Sequence, residues 1–444
     1  MTQARPAIPI RNASGKPSAE ALAQMDKRWR WRYVMLAPHR LGFLLAMVVL
    51  VASGVWWALV QLDRATAWLG MSAAVSPTLA HSAVMVLGFI PLFFSGFLFT
   101  AGPKWLGVEP LPVQTLQYPL LAQALGWLLW LAGAYLQAWV AYGGLALACA
   151  GLLWMSALFW GLVRLSRAQD QLHARVIACA CALGSVSLAG VWLSLVGGDG
   201  ALARVWVFTG LWGFVVVVYV TVAHRMIPFF TSSAMPMVQS WRPFWVLRLM
   251  LAAALLQVLA AWLEWAGVSA SRAGPVWGLV HGTLQLAVGG ILIWLAVVWG
   301  LVQSLKNRLL AMLHIGFLWL GVSFVLGGTA QWLAWGLGLG GLALGALHAL
   351  TMGCLASLML AMVTRVSCGH SGRALVADRI AWSLFWLLQV GTVLRLAAAV
   401  PGVPGTVTLW LVPLAALIWA GTMGVWGVRL GRWYGCLRAD GRPG

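Results

Sequence analysis

The sequence predicts an all-α integral membrane protein with about twelve transmembrane helices. Of its 444 residues, 62% are hydrophobic and only 8% are charged, whereas soluble domains carry about 25% charged residues. The charges lie between long apolar segments. A net charge of +19 spread in this way forms no basic face for nucleic acid, so we expect no nucleic-acid partner and a lipid bilayer instead.

Each predicted helix is an apolar segment of about the 20 residues that cross a bilayer. Glycine- and proline-rich breaks, such as 336–341 and 403–405, separate neighbouring segments. In chain order the predicted helices are 41–62, 77–101, 113–137, 141–163, 175–197, 203–226, 244–267, 275–303, 309–334, 341–364, 379–400 and 405–428.

The positive charges alternate between the two sides of the predicted bundle. With the N-terminus inside, 24 of the 28 Lys and Arg residues fall on the inner side. The positive-inside rule therefore predicts that both termini are cytoplasmic. The chain then divides into a basic N-terminal segment (1–40), a membrane domain (41–430) and a C-terminal tail (431–444).

Three histidines, His81, His281 and His348, fall in the outer third of predicted helices 2, 8 and 10. Each alone can be a hydrogen-bonded structural residue, but ionisable groups inside a membrane mark functional sites by default. Neutral imidazole binds iron, copper and zinc, and two histidines on facing helices can hold a heme iron. The outer layer thus predicts a cofactor site.

A methionine follows two of these histidines at the spacing that shares a helix face: Met85 after His81, and Met352 after His348. Thioether and imidazole together suit Cu(I), whereas core packing is the alternative interpretation. Thr351 either orients the His348 ring or bonds its own backbone.

The remaining histidines are predicted to lie at the inner side. His224 and His314 sit near the inner ends of helices 6 and 9, and His370 lies in the adjoining loop. His39 and His173 fall outside the predicted helices, and we expect both to be solvated. The first group forms a candidate second layer of imidazoles.

Helices 2, 6 and 10 are predicted to end at the inner face with a threonine, a cation and a proline or glycine. The cations are Lys104, Arg225 and Arg365. They either complement the helix dipole or contact an anionic group such as a heme propionate or lipid phosphate. Because these helices are four positions apart in chain order, they indicate three four-helix units around a pseudo-threefold axis.

Four stretches, 81–107, 224–236, 309–326 and 348–373, together resemble the NnrS family of membrane proteins. That family is described as heme- and copper-containing and is tied to nitric oxide and denitrification. Two features depart from the family pattern. The HxHEM often found in helix 2 is here His-Ser-Ala-Val-Met from His81, and His224 stands where many members have glycine.

The heme–copper oxidases offer a rival interpretation, because His81 and His348 match their low-spin heme ligands on helices 2 and 10. However, helix 6 has no HPEVY-like segment and helix 7 has no histidine. The oxygen-reducing copper centre of that family cannot be built. A helix arrangement like that of these oxidases, with an electron-transfer role, is kept as an alternative.

The resemblance implies a bacterial inner-membrane protein that acts in the nitric oxide response. Its cofactors would be heme b, held by His81 and His348, and copper. His281 would be a copper ligand or alternative axial ligand, and His314 and His224 an inner second site. The expected partners are nitric oxide or a similar small ligand and an unidentified electron donor. The competing class is a non-enzymatic transporter or accessory factor, disfavoured because no carboxylate lies in a helix centre.

Overall fold

The computed structural model describes residues 28–271 and 274–441, and throughout these ranges its regular structure is helical. Twelve helices are long and apolar enough to cross a membrane, which confirms the predicted number. They are α1 (Pro38–Thr66), α2 (Pro77–Leu106), α3 (Val113–Leu136), α4 (Ala138–Leu165), α5 (Leu172–Val196), α6 (Gly200–Ala234), α7 (Phe244–Trp265), α8 (Gly274–Val298), α9 (Arg308–Leu337), α10 (Leu342–His370), α11 (Arg379–Ala397) and α12 (Gly405–Tyr434).

The two described ends of the chain meet on one side of the bundle. There the backbone N–H of Arg30 donates to the carbonyl of Gly435 over 2.8 Å. We call this side the terminal end and the other side the opposite end. Most of the predicted N-terminal segment lies outside the described residues, and α1 begins at Pro38, where proline suits the first turn of a helix. Which end faces the cytoplasm stays a prediction.

Three helices continue further at the terminal end than the sequence predicted. α2 and α6 run through Pro103 and Pro228, and α10 continues to His370. The prediction that these prolines stop the helices was wrong, because membrane helices tolerate proline where neighbours satisfy the freed carbonyl groups. His224 consequently lies inside α6, and His370 ends α10 instead of lying in a loop.

The same three helices form the centre of the bundle. Within an apolar stretch of 18 residues in each helix, the share of buried residues is 83% for α2 and 72% for both α6 and α10, compared with 28% for α7. The arrangement around them as three four-helix units, or as in heme–copper oxidases, stays a prediction.

Each central helix departs from regular α-helical geometry. α2 is interrupted at Gly88, where a Cβ atom would lie 2.4 Å from the carbonyl oxygen of Val84. α6 and α10 contain π-helical segments at Leu211–Val216 and Ala349–Ala356. π-helical turns are rare and are frequently found at functional sites.

These departures lie at a similar depth. All three helices begin at the opposite end, and the regular first part lasts 11 residues in α2, 11 in α6 and 7 in α10. At 1.5 Å per residue, the irregular backbone starts roughly 10–17 Å along each helix. The centre of the bundle therefore contains one layer of irregular backbone.

The outer helices pack closely through glycine. Between α3 and α4, a Cβ atom at Gly144 would lie 2.6 Å from the carbonyl oxygen of Gly126, whereas one at Gly143 would meet no atom within 4 Å. Small residues let membrane helices approach closely and gain van der Waals contact. Gly144, unlike its neighbour, is therefore required by the packing of α3 on α4.

We expect Gly144→Ala to lower the free energy of unfolding by about 1–3 kcal/mol, because the methyl group must push α3 and α4 apart. Gly143→Ala is the matched control and should be neutral or slightly stabilising, since alanine is the better helix former. Thermal unfolding in detergent measures both. Equal Tm values for the two variants would contradict the described packing.

Candidate functional site

A cavity lies among the central helices. Side chains from α1, α2, α6, α10, α11 and α12 line it, and the irregular segments of the three central helices contribute to its wall. Sites for small molecules and cofactors commonly have mostly apolar walls with a few polar groups. The wall of this cavity is of that kind, because apolar side chains surround His81, His348 and Arg395.

His348 enters the cavity from α10, where the π-helical segment begins. Its Nδ1 lies 2.7 Å from the carbonyl oxygen of Leu344. A carbonyl only accepts, so Nδ1 must carry the proton and Nε2 has a free lone pair. This is how metal-binding histidines are usually oriented.

His81 enters the same cavity from α2. Its ring stacks on Trp57 of α1, with centroids 3.8 Å apart and planes 15° apart. Its buried Nδ1 has no hydrogen-bond partner among the described residues. A buried polar atom without a partner raises the free energy of the fold. Nδ1 of His173 and His314 also lacks a partner among the described residues, but of these three histidines only His81 lines the cavity.

The sulfur and hydroxyl side chains that the sequence singled out beside these histidines also reach the cavity. Met85 and Met352 both line it, which agrees with their predicted position on the histidine faces. The hydroxyl of Thr351 donates to the carbonyl of Leu347 over 2.9 Å. Of the two alternatives for Thr351, the structure has the bond to its own backbone, and Leu344 orients His348 instead.

Arg395 of α11 brings a positive charge to the cavity. Within the part of the chain that the structure describes, no acidic group and no hydrogen-bond acceptor contacts its guanidinium. Arginine within a membrane helix is costly and normally paired. The guanidinium therefore brings a positive charge without an anionic partner among the described residues to this end of the cavity.

Sequence reasoning missed Arg395, Trp57 and Tyr219, which all line the cavity. For Arg395 a signal existed, because it falls inside the predicted helix 379–400 and so is an intramembrane cation. It was counted only as a loop charge for orientation. Trp57 and Tyr219 carry no local signal that separates them from interfacial or packing aromatics.

His281 does not join the two cavity histidines. It stacks on Trp277 in the same helix, with centroids 5.3 Å apart, and its Nε2 lies 2.9 Å from the side-chain amide of Gln285. Its helix, α8, contributes no side chain to the cavity wall. The predicted outer layer of three histidines is thus a pair, with the third satisfied by its own helix.

The histidines nearer the terminal end form separate contacts instead of one second site. His173 Nε2 lies 3.1 Å from His224 Nδ1, and His314 Nε2 lies 2.9 Å from the Thr231 hydroxyl. The His39 ring packs on His370. His224 and His314 therefore have different partners.

The prediction that His39 and His173 are solvated was wrong. Their exposed fractions are only 3% and 2%. The cause is that both lie in the first turn of a helix, α1 and α5, whose beginning the sequence placed too late. In each case a second histidine from a central helix covers the ring.

The three cations predicted to meet an anion lie at the terminal end, outside the cavity wall. Arg225 lies over the Trp105 ring, with 5.1 Å to the centroid, and Arg365 lies over Phe230 at 3.9 Å. Lys104 is exposed. The aromatic faces already stabilise the two arginines.

Metal ligands are sparse. Within 28–271 and 274–441, no group of three or more His, Cys, Asp or Glu side chains is arranged to hold a metal ion. Those residue types therefore form no closed structural zinc-type site in the described chain. A heme iron needs only two axial ligands from the protein, so a site of that kind does not require a group of three.

Comparison with known proteins supports the resemblance noted from the sequence. No curated protein matches the chain closely enough for comparison. The family model described as NnrS protein matches residues 33–438, which include every helix that contributes to the cavity. The chain therefore belongs to the NnrS family, a family of membrane proteins linked to the nitric oxide response.

Proposed function

We propose that the cavity binds a b-type heme between His81 and His348, in a protein that acts in the response to nitric oxide. The observation that carries this proposal is that the two imidazoles, from different central helices, line one cavity. Family membership supports the link to nitric oxide. The heme and its ligands are our inference.

The two histidines are prepared for iron in different ways. His348 donates from Nδ1 to Leu344, which makes its Nε2 the more basic nitrogen and fixes the ring. His81 has no such bond at Nδ1, and stacking on Trp57 orients its ring. His348 is then the firmer ligand, and a small competing ligand would displace His81.

Arg395 supports the proposal through charge. Heme carries two propionate carboxylates, and the guanidinium of Arg395 is the cation on the cavity wall. Charge-assisted hydrogen bonds between the two would satisfy an otherwise unpaired guanidinium. We therefore propose Arg395 as the propionate partner, in place of Lys104, Arg225 and Arg365.

A bound heme would supply one-electron chemistry and an iron centre with affinity for nitric oxide. The chain's own part is to orient two imidazoles, to neutralise the propionates and to exclude water with an apolar wall. Copper is a second proposed occupant, because the Met85 and Met352 thioethers reach the same cavity and suit Cu(I). The electron donor and the bacterial inner membrane stay predictions.

Replacing either cavity histidine with alanine should remove heme. We expect His348→Ala to lose more heme than His81→Ala, because the hydrogen bond to Leu344 makes His348 the firmer ligand. The measurements are heme per protein after purification and the reduced-minus-oxidised spectrum, in which bis-histidine ligation gives a sharp b-type band.

His281→Ala is the matched control for this experiment, since His281 is also a histidine of a membrane-spanning helix but lies outside the cavity wall and is bonded to Gln285. It should keep the heme content of the unaltered protein. If His348→Ala also keeps its heme and its spectrum, the proposed ligand pair is wrong. A folded protein that never takes up heme would favour the transporter or accessory role.

Arg395→Leu should speed the loss of heme. Removing a charge-assisted hydrogen bond costs about 1.5–3 kcal/mol, or roughly tenfold to a hundredfold in affinity. The rate of heme loss from Arg395→Lys should lie between the rates of Arg395→Leu and the unaltered protein, because lysine keeps the charge without the planar guanidinium group. Transfer of heme to an excess of apo-globin measures the rate.

Arg204→Leu provides the control for Arg395, because Arg204 lies exposed near the beginning of α6 at the same end of the bundle. It should release heme at the rate of the unaltered protein. An equal rate for Arg395→Leu would show that Arg395 has no contact with the propionates.

A further inference from the structure

A second, smaller pocket lies beside the cavity, between α6, α9 and α10. Its free space is about that of one water-sized molecule. The side chains that line it are Val216, Tyr219, Val220, Ala223, Phe317, Leu320, Cys354, Leu355 and Leu358.

The pocket and the cavity share part of their wall. Tyr219 and Leu355 line both of them. The two spaces therefore adjoin each other at one side chain from α6 and one from α10. Rotations of such side chains are faster than movements of whole helices.

The irregular backbone of the central helices explains why space is left here. Val216 ends the π-helical segment of α6, and Cys354 and Leu355 belong to that of α10. A π-helical turn adds a residue and rotates the following side chains, so the ridges of α6 and α10 do not interlock. A void in a packed interior lowers stability, so a space maintained by two rare segments suggests a use.

The chemistry of the wall decides what fits. Among the lining side chains only Tyr219 and Cys354 carry a heteroatom, and the thiol is a weak hydrogen-bonding group. A buried water usually makes about three hydrogen bonds, and apolar cavities stay dry and bind apolar molecules such as xenon. The pocket therefore has too few hydrogen-bonding groups to bind a water molecule or an ion well.

We propose that this pocket is a docking site for one uncharged diatomic gas molecule, held next to the histidine cavity. Its identification as nitric oxide rests on the proposed function, whereas the affinity for small apolar gases does not. The Tyr219 hydroxyl, which makes no hydrogen bond to any described residue, lies between pocket and cavity and can donate to a molecule that passes.

Xenon is the probe that tests the pocket without heme or nitric oxide. In crystals of the full chain kept under xenon pressure, we expect anomalous density between α6, α9 and α10. Ala223→Leu adds three carbon atoms to the pocket and should reduce the xenon occupancy below detection. Leu320→Ala removes three carbon atoms from the wall and should increase it.

Ala252→Leu is the matched control, because Ala252 lies on the exposed face of α7; its xenon occupancy should equal that of the unaltered protein. Xenon bound elsewhere with none in this pocket, or an ordered water in its place, overturns the inference. The same holds if Ala223→Leu keeps its xenon. If xenon binds in this pocket but the protein takes up no heme, the inference of a gas-docking site holds and the proposed function is wrong.

Discussion

A polar side chain in the hydrocarbon layer must find its partner within the protein, because no water is present to supply one. Six of the eight histidines have a hydrogen-bonding partner among the described residues, and His370 packs on His39. His81 has stacking alone. Buried polar atoms without a partner among the described residues also occur elsewhere, for example at Nδ1 of His173 and His314, but His81 differs because its ring lines a cavity.

The backbone of the central helices is also less stable beside the cavity. α-Helical geometry satisfies each backbone group once, and a π-helical turn or a break weakens that pattern. In this protein α2, α6 and α10 all depart from it at a similar depth. Residues of the two π-helical segments line both the cavity and the small pocket beside it, which share Tyr219 and Leu355. Regular helical hydrogen bonding is therefore weakened in the same part of the bundle that contains open space.

The arginines show that one residue type has different surroundings in this structure. At the terminal end, Arg225 and Arg365 lie over the rings of Trp105 and Phe230, and an aromatic face stabilises a cation placed over it. Arg395 lies in the last turn of α11, at the opposite end. There it lines the apolar cavity, and no acidic group among the described residues pairs with it. The packing of neighbouring helices, which the residue type does not determine, decides which of these surroundings an arginine has.

The sequence by itself determined the all-helical membrane class, the twelve helices and the family. It also singled out His81, His348, Met85 and Met352, because hydropathy and helical spacing are local properties of the chain. Only the tertiary structure decided which histidines meet. His281 is as deep as His348 by sequence, yet it turns to Gln285 on its own helix, since depth does not fix the direction in which a side chain points. The sequence placed Arg395 inside a helix but not beside the two histidines, and it gave no signal for Tyr219. A cavity is formed by facing helices, and no single segment encodes it.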